Sequence, residues 1–453
     1  MAAALLHCCV LPLSLALLLI TIGCVSGEGN EVNNERQSVL RTDKTSRELN
    51  QAADSSPVQY ALAENHAVGG RKLALFPEVG PITTGWSERL LGSLYSILHF
   101  WNSPLDIIRR PSQEKDEATA HGASTPADHN ILFILGDSLF DAANNLYLNE
   151  SNYSIGSYPY GFTYFPNATG RVCDGRILPD FIAEYANLPF IPPSLQPVGD
   201  FYYGANFASS GAAVLDSDSS SGLNVLNLKG QVIQFKELAA KWNETLGADT
   251  TRQVLAKAVY LFSFGGNDYH SYYKNFYDED SSPTPSEQEQ FVKYIVGNTT
   301  DALIEMYELG ARKIAFQNVG PMGCIPECKT EFPKFNGSCV PDLLSMPTLN
   351  NKELNKTLTD LAERLEGFKF SIFDYFITLM DRIENPSDYG FVYGSTECYS
   401  SSSLCEYPSA YVFFDDGHPT QSVNEQLAKL FWAGDLSVTS PYNMKQLFEE
   451  SND

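Results

Sequence analysis

The strongest constraint on the fold is an alternation of short apolar runs and longer helical patterns that begins at residue 131. Runs rich in β-branched and aromatic residues are predicted to be strands: 131–135, 203–208, 259–264, 313–318 and 370–374. Segments with apolar residues at helical spacing follow them: 175–186, 231–246, 287–310, 349–367 and 420–434. This alternation predicts an α/β domain whose parallel sheet carries helices on both faces. Ligands of such sheets bind at the carboxyl ends of the strands, so the residues that follow each run matter most.

Residues that offer a reactive hydroxyl or a hydrogen-bond donor follow three of these runs. Ser138 comes directly after the first strand and a Gly-Asp pair, which places its hydroxyl at the sheet edge. Gly211 ends the turn after the second run, where a residue without a side chain lets a backbone N–H approach a ligand. Asn267 follows two glycines after the third run and offers an amide donor. A hydroxyl and several donors at one edge indicate nucleophilic chemistry.

A serine nucleophile needs a base, and histidine is the usual one. Of the seven histidines, only His270 and His418 lie beyond residue 130. Asp415 precedes His418 by three residues, so one turn can bring its carboxylate to the ring. His270 has only Asp268 at similarly close spacing ahead of it. We therefore favour His418 as the base, with His270 as the alternative.

Each motif alone is common, but together, in this order, they resemble the GDSL esterases and lipases, or SGNH hydrolases, and specifically their plant extracellular branch. The blocks that carry the resemblance are ILGDSLFDAANN, ANFASSGAA, FSFGGNDY and FFDDGHPT. Two further stretches look similar, YPYGFTYFPNATGRVCDGRILPDFIAEYANLPFIPPSLQP and NVGPMGCIP. The resemblance covers roughly 130–440 and does not reach residues 28–130.

The resemblance implies a three-layer α/β/α, flavodoxin-like SGNH hydrolase fold. It assigns Ser138 as nucleophile, His418 as general base and then acid, and Asp415 as the group that orients His418. It places the oxyanion hole at the Ser138 N–H, the Gly211 N–H and the Asn267 side chain. The implied activity is a serine esterase or lipase that hydrolyses carboxylic esters, of lipid or other acyl groups, through an acyl-enzyme. No cofactor and no metal are predicted.

The sequence departs from the family pattern beside these residues. Ala143 stands where the family usually has Gly, and Ser210 and Ala213 stand at two further positions that tend to be Gly. All three are small, so we expect altered loop geometry with the catalytic groups retained.

Functions of other classes remain to be weighed. An acyltransferase with the same triad would pass the acyl group to an alcohol, and a catalytically silent secreted binding protein would keep the fold alone. A zinc enzyme is disfavoured by two domain histidines and no His-Glu-x-x-His motif, and a nucleotide enzyme by the lack of a phosphate loop. A net charge of −25 argues against nucleic acid as a partner. The predicted partner is a small-molecule or lipid ester, and the oligomeric state stays open.

The N-terminal part of the chain has a different character. Residues 1–27 lack any charged side chain and are predicted to be a cleaved secretory signal, with an uncleaved anchor as the alternative. Residues 28–129 are predicted to be a mostly disordered extension with one possible amphipathic helix at 86–101, although a pro-region or a docking helix is also possible. The hydrolase domain is predicted at 130–440, followed by an acidic tail at 441–453. The mature protein is expected to be extracellular, without stable membrane insertion.

Two further sequence features favour export. Seven candidate N-glycosylation triplets begin at Asn149, Asn152, Asn167, Asn243, Asn298, Asn336 and Asn355. Six of the nine cysteines lie beyond the signal, an even number that suits disulfides. Their clustering predicts short staples such as Cys324–Cys339 and Cys398–Cys405, although the sequence alone leaves every pairing open.

Overall fold

The computed structural model describes residues 129–148, 154–216, 224–401 and 403–450. The predicted signal, nearly all of the predicted extension with its helix at 86–101, and the sequons at Asn149 and Asn152 lie outside these ranges. None of the helices within the described ranges has an apolar stretch long enough to cross a lipid bilayer.

The core of the fold is a mostly parallel sheet, which confirms the predicted α/β class. Its order follows the chain, β1 (Leu132–Gly136), β2 (Val259–Ser263), β3 (Lys313–Gln317) and β4 (Lys369–Phe373), all parallel, and β9 (Thr439–Pro441) pairs antiparallel with β4. Every residue of the first three strands is buried. Because successive side chains of a strand point to opposite faces, helices must cover both faces of the sheet.

The segment predicted as a second strand, 203–208, lies along the free edge of β1. The N–H of Leu132 donates to the carbonyl of Tyr203 at 3.0 Å, and the N–H of Phe207 donates to the carbonyl of Ile134 at 2.7 Å. Only one of its residues, Asn206, forms a regular bridge with β1. The segment is therefore extended and paired, and it carries residues 209–211 to the edge where β1 ends.

The helices of the described ranges correspond in place to the helical patterns of the sequence, with several additional ones between them. They are α1 (Asn144–Leu148), α2 (Leu178–Tyr185), α3 (Leu228–Leu246), α4 (Ala248–Lys257), α5 (Gly266–Asp278), α6 (Pro285–Leu309), α7 (Pro326–Glu331), α8 (Asp342–Arg364), α9 (Tyr375–Glu384), α10 (Gln421–Ala433) and α11 (Met444–Glu449). Helices α3, α6 and α8 contact one another in that order, whereas α2, α10 and α11 form a second contacting group. Short 3-10 turns occur at Ser154–Gly156, Met322–Cys324, Pro333–Phe335, Pro386–Tyr389 and Pro408–Ala410.

Helix α6 shows how local sequence sets these boundaries. The Thr284 hydroxyl accepts from the N–H of Glu287, whose carboxylate accepts in return from the N–H of Thr284. Pro285 occupies the first turn, where its missing N–H costs nothing. The helix ends at Gly310, whose φ of +121° lies in a region that glycine adopts without a steric penalty.

The C-terminal segment differs from the predicted acidic tail. Residue 440 lies inside β9, and residues 444–449 form α11, in which Met444 and Leu447 are fully buried. The side chain of Asn443 caps this helix by accepting from the N–H of Gln446 at 3.0 Å. The acidic residues near the end of the sequence obscured a short amphipathic pattern, so the folded domain continues past the predicted boundary.

Two small sheets of two strands each are separate from the main one. Strand β5 (Tyr393–Glu397) pairs in parallel with β8 (Tyr411–Phe413), and β6 (Tyr399–Ser400) pairs with β7 (Ser403–Leu404) as a hairpin. Cysteines 398 and 405 are joined beside this hairpin, and Cys324 is joined to Cys339, so both predicted staples are present. The other two cysteines of the described residues, Cys173 and Cys328, are buried free thiols, which the even cysteine count did not predict.

Candidate active site

Ser138 lies on a tight turn that begins where β1 ends. The carboxylate of Asp137 accepts from the N–H of Leu139 at 3.0 Å, and its carbonyl accepts from the N–H of Asp141 at 3.0 Å. Gly136 precedes this turn, and a Cβ there would lie 3.0 Å from the carbonyl oxygen of Ser263. The glycine therefore lets β1 pass close to β2 just before the serine.

The ring of His418 connects Ser138 to Asp415. Its Nε2 lies 2.7 Å from the Oγ of Ser138, and its Nδ1 lies 2.7 Å from Oδ1 of Asp415. The same Oδ1 accepts from the backbone N–H groups of Gly417 and His418. Asp415 and His418 both follow β8, which belongs to a small sheet separate from the main one, so His418 reaches Ser138 from a separate structural element.

Charge around His418 favours its protonated form. Burial alone would lower the pKa of His418, but the carboxylate of Asp415, together with Glu327 and Asp137, raises it to about 9. Burial would likewise raise the pKa of Asp415, yet the ring of His418 and the N–H of Gly417 hold it below the usual value. The surrounding carboxylates therefore stabilise the imidazolium form of His418, and loss of its proton makes Nε2 a base.

Burial has the opposite outcome at a second carboxyl of the site. It raises the pKa of Asp137 to about 7, because the N–H of Leu139 and the charge of His418 offset only part of the desolvation. Asp137 thus has a raised pKa next to Ser138, and its charge in turn favours the imidazolium form of His418.

Three hydrogen-bond donors belong to residues that line the cavity at Ser138. Within the described ranges, neither the N–H of Ser138 nor that of Gly211 donates to another group of the chain. The side-chain amide of Asn267 donates one N–H to the carbonyl of Ala212 at 2.8 Å, which fixes its orientation. All three residues line one cavity with His418. Unused donors at the edge of a cavity are suited to a developing oxyanion.

Buried polar side chains after Ser138 pin the neighbouring loop. One carboxylate oxygen of Asp141 accepts from the N–H and the hydroxyl of Ser210, at 2.9 and 3.0 Å. The amide of Asn144 donates to the carbonyls of Asn206 and Ala208, and that of Asn145 donates to the carbonyl of Ser210. These bonds join the nucleophile turn to the loop that carries Gly211.

Asp268 ties the third donor to the second. Its two carboxylate oxygens accept from the N–H groups of Val214 and Leu215 at 2.9 and 3.1 Å. Burial raises the pKa of Asp268 to about 6, because these two N–H groups offset only part of the effect of desolvation. Because Asp268 follows Asn267 at the start of α5, the Gly211 loop and the amide donor are held as one unit. Sequence analysis assigned no role to Asp268, Asp141, Asn144 or Asn145, and their positions inside the matching blocks were the available signal.

The cavity in front of Ser138 has a volume of about 250 Å³ and a largely apolar wall. Its apolar lining comprises Leu139, Ile155, Val172, Phe264, Val319, Pro321, Met322, Ile325, Tyr375 and Leu379. An apolar pocket with a few convergent polar groups at one end is typical of sites for small organic ligands.

The alternative histidine, His270, lies outside this lining, on α5. Its Nε2 lies 2.6 Å from Oε2 of Glu331, and the other oxygen of Glu331 is bonded to the ammonium of Lys274. His270, Glu327 and Glu331 bring three ligand-type atoms within 4.8 Å of one another. The ammonium of Lys274 already neutralises one of these carboxylates, so the cluster is a poor match for a metal site.

The three departures from the family pattern have different local consequences. Ala143 has a φ of +141°, a backbone conformation that favours glycine, and its N–H donates to Asp141 at 2.8 Å. Ser210 contributes a hydroxyl bond to the same Asp141 carboxylate. Ala213 is buried, and nothing in the structure explains it further.

The described glycosylation candidates differ in exposure. Asn167, Asn243, Asn336 and Asn355 are exposed, as a modified asparagine must be. Asn298 is half-buried within α6, and its amide donates to the carbonyl of Tyr294 at 2.8 Å. The first four are therefore the better candidates.

Residues 132–431 match the family model described as GDSL-like Lipase/Acylhydrolase. A GDSL lipase of Tanacetum cinerariifolium is 42% identical over 333 residues, which cover 70% of this chain and 87% of that protein. GDSL esterase/lipase 4 of Arabidopsis thaliana is 40% identical over 341 residues, with coverage of 70% and 90%.

A third similar protein has a name that points the other way. The inactive GDSL esterase/lipase-like protein 25 of Arabidopsis thaliana is 34% identical over 326 residues, which cover 70% of this chain and 74% of that protein. Similarity at this level therefore includes a protein described as inactive, and the groups around Ser138 must be judged on their own geometry.

Proposed function

The chain belongs to the GDSL-like lipase/acylhydrolase family and is a carboxylic ester hydrolase, and on that premise we propose that Ser138, His418 and Asp415 are its catalytic triad. The observation that carries the proposal is the pair of 2.7 Å contacts through which His418 joins the Ser138 hydroxyl to the Asp415 carboxylate. That arrangement supplies a nucleophile, a base in contact with it and a group that orients the base.

The proposed reaction begins when Ser138 Oγ attacks the ester carbonyl and its proton passes to Nε2 of His418. The carbonyl oxygen becomes an oxyanion, which the N–H groups of Ser138 and Gly211 and the amide of Asn267 stabilise. His418 then protonates the departing alcohol as the carbonyl re-forms, and an acyl-serine remains. A water molecule, deprotonated by His418, cleaves the acyl-serine by the same steps and restores the free serine.

The shape of the site supports esters with an apolar acyl group as substrates. The cavity of about 250 Å³ is apolar apart from the triad, the donors and a few polar groups, so an alkyl chain loses little by entering it. Burial of each methylene stabilises a complex by roughly 0.8 kcal/mol until the cavity is full. We expect kcat/KM to rise with chain length across a series of p-nitrophenyl esters and then to level off, whereas no dependence on chain length would contradict this assignment.

One experiment tests the triad and the alternatives together. The purified protein is treated with a fluorophosphonate, and Ser138 is identified as the modified residue by mass spectrometry, with the Ser138→Ala variant as control. The same protein is incubated with an ester in the presence of glycerol or hexanol, and the products are identified by their masses. Free acid as the main product supports hydrolysis, an ester of the added alcohol indicates acyl transfer, and no labelling at Ser138 would leave only a binding role.

We further propose that the protein is secreted and glycosylated. The charge-free segment at 1–27, the exposed Asn167, Asn243, Asn336 and Asn355, and the two disulfide bonds all support this. Expression in plant cells with recovery from the medium, followed by glycan removal with an amidase, should give a discrete loss of mass. Retention inside the cell without a glycan would contradict it.

A further inference from the structure

The two oxygens of the Asp415 carboxylate have different partners. Oδ1 accepts from the ring of His418 at 2.7 Å and from two backbone N–H groups of its own loop. Oδ2 accepts from the hydroxyl of Tyr160 at 3.1 Å, a residue 255 positions away along the chain. A side chain that the triad scheme does not include thus satisfies the second oxygen.

We propose that Tyr160 is a positioning residue for ester hydrolysis, whose hydroxyl fixes the rotation of the Asp415 carboxylate and thereby the His418 ring that faces Ser138. The inference rests on the function proposed above, because it assigns Tyr160 a role in that same site. A carboxylate held at both oxygens cannot turn about its Cβ–Cγ bond without breaking a bond at one of them, so its Oδ1 stays directed at Nδ1.

Aromatic packing holds the Tyr160 ring in place. The ring meets Phe414 edge-to-face at 5.5 Å and Tyr399 at 5.9 Å, and the residue is only 9% exposed. Phe414 precedes Asp415, and its carbonyl accepts from the N–H of Tyr399 at 2.6 Å. Tyr160 therefore packs on the same short segment that carries the carboxylate it contacts, which keeps hydroxyl and acceptor in register.

The loop around Tyr160 is anchored on both sides. The N–H of Tyr160 donates to the carbonyl of Ser157 at 3.1 Å, and that of Gly161 donates to the carbonyl of Cys173 at 2.9 Å. Ile155 and Val172 belong to the same small buried cluster and also line the cavity at Ser138. The loop thus forms part of the substrate wall and braces the triad from behind.

The phenol acts as a permanent donor. Burial, followed by the negative charge of Asp415, raises the pKa of Tyr160 well above its usual value, so the hydroxyl keeps its proton throughout the working pH range. The ionisable groups that face this network are Asp416 and Tyr399 around Tyr160, and Glu327 and Asp137 around His418. None of these groups is altered when the Tyr160 hydroxyl alone is removed.

The test is Tyr160→Phe, which keeps the ring and its packing and removes only the hydroxyl. We expect kcat for a p-nitrophenyl ester to fall about tenfold with KM within twofold, the usual size of a lost hydrogen bond to a charged group. Loss of the donor leaves more of the carboxylate charge to favour the imidazolium, so the pKa of His418 should rise by roughly half a unit. The acid limb of the kcat profile then moves to higher pH by the same amount.

Tyr260→Phe is the matched control. Tyr260 is a fully buried tyrosine on β2, and its hydroxyl donates to the carbonyl of Leu255 at 2.9 Å, away from the cavity lining. The variant loses the same atom and the same kind of bond, so its thermal midpoint reports the cost of a buried hydroxyl. Its kcat and pH profile should equal those of the unaltered protein.

The titration of His418 is also read directly by NMR on protein with labelled histidine, with His418→Gln used to assign the signal. This readout needs no turnover, so an unaltered protein that hydrolyses no ester would refute the proposed function while the role of Tyr160 stayed testable. With a protein that hydrolyses the ester, the inference requires both the fall in kcat and the shift in titration, and with one that does not, it requires the shift in titration. A Tyr160→Phe protein that lacks a required change, or that matches Tyr260→Phe in both, overturns it.

Discussion

Two histidine–carboxylate pairs in this protein are alike in contact distance but differ in the other groups that each histidine and each carboxylate contacts. His418 lies 2.7 Å from Asp415, and His270 lies 2.6 Å from Glu331. The second nitrogen of His418 meets the hydroxyl of Ser138, whereas the carboxylate of His270 is shared with Lys274. His418 lines the apolar cavity, whereas His270 lies outside its lining.

The difference shows that a carboxylate beside an imidazole does not make a catalytic base. The ring must also present its other nitrogen to a nucleophile, and the carboxylate must not be neutralised by a further cation. Only the pair at His418 meets both conditions in the structure. The comparison can be broken by any variant that makes the pair at His270 matter more than the pair at His418.

The largest effect should come from Ser138→Ala, which leaves both pairs intact and removes the group that distinguishes them. We expect kcat/KM for a p-nitrophenyl ester to fall by at least about a thousandfold, because the Ser138 hydroxyl is the one that lies at Nε2 of His418 among the residues the structure describes. Steady-state kinetics on folded protein, checked by circular dichroism, measures this. Activity above a few per cent of the original would show that another residue attacks the ester.

Exchanging the histidines is the direct comparison. His418→Gln should be nearly as damaging as Ser138→Ala, whereas His270→Gln should change kcat/KM less than about threefold, since it removes only a partly exposed ion pair. Both variants are assayed side by side at the same pH. If His270→Gln were the inactive protein, the pair at His418 would be structural and the assignment of the base wrong.

Exchanging the carboxylates should give a smaller but still unequal pair of effects. Asp415→Asn keeps the shape but cannot stabilise an imidazolium, and we expect a fall in kcat on the order of a hundredfold or more. Glu331→Gln should leave kcat within about threefold, because the Glu331 carboxylate bonds to His270 and Lys274, which both lie outside the cavity lining. Equal losses in the two variants would remove the distinction between the pairs.

The smallest expected difference between variants concerns the dependence of activity on pH. The base form of His418 is neutral, and its pKa is raised to about 9, so activity should increase with pH up to that region, about tenfold per unit on the acid side. Measurements of kcat/KM from pH 5 to 10 test this, and His270→Gln should follow the same curve. A rate that stayed flat from pH 5 to 8 would contradict a histidine base.

The sequence predicted the parallel sheet and the residues at its edge because both depend on local patterns. The strands at 131–135 and 259–264 are short apolar runs, and the turn after each of them contains glycine followed by a polar side chain. The spacing of Asp415 and His418 likewise allows one turn to join them. That Ser138 would meet His418, 280 positions further on, was favoured by the histidine census and the nearby Asp415, and the family resemblance implied it as well.

What the sequence did not predict depends on long-range packing. Tyr160 reaches Asp415 only because its loop packs on Phe414 and Tyr399, and no periodicity records such a contact. Helix α5 is absent from the predicted helical patterns, because its buried tyrosines Tyr269 and Tyr273 hardly register as apolar in a pattern search. The free thiol of Cys173 was missed because a count of cysteines carries no information about distance.

The pairing of β9 with β4 has a consequence for biosynthesis. Strand β4 ends at Phe373, yet its outer neighbour is Thr439–Pro441, which is translated only after another 65 residues. Until those residues leave the ribosome, β4 presents an unpaired edge of the kind that recruits other chains. A nascent or prematurely terminated chain that stops between His418 and Thr439 carries Ser138, Asp415 and His418 but leaves the edge of β4 open, so it is a natural client for chaperones and for degradation.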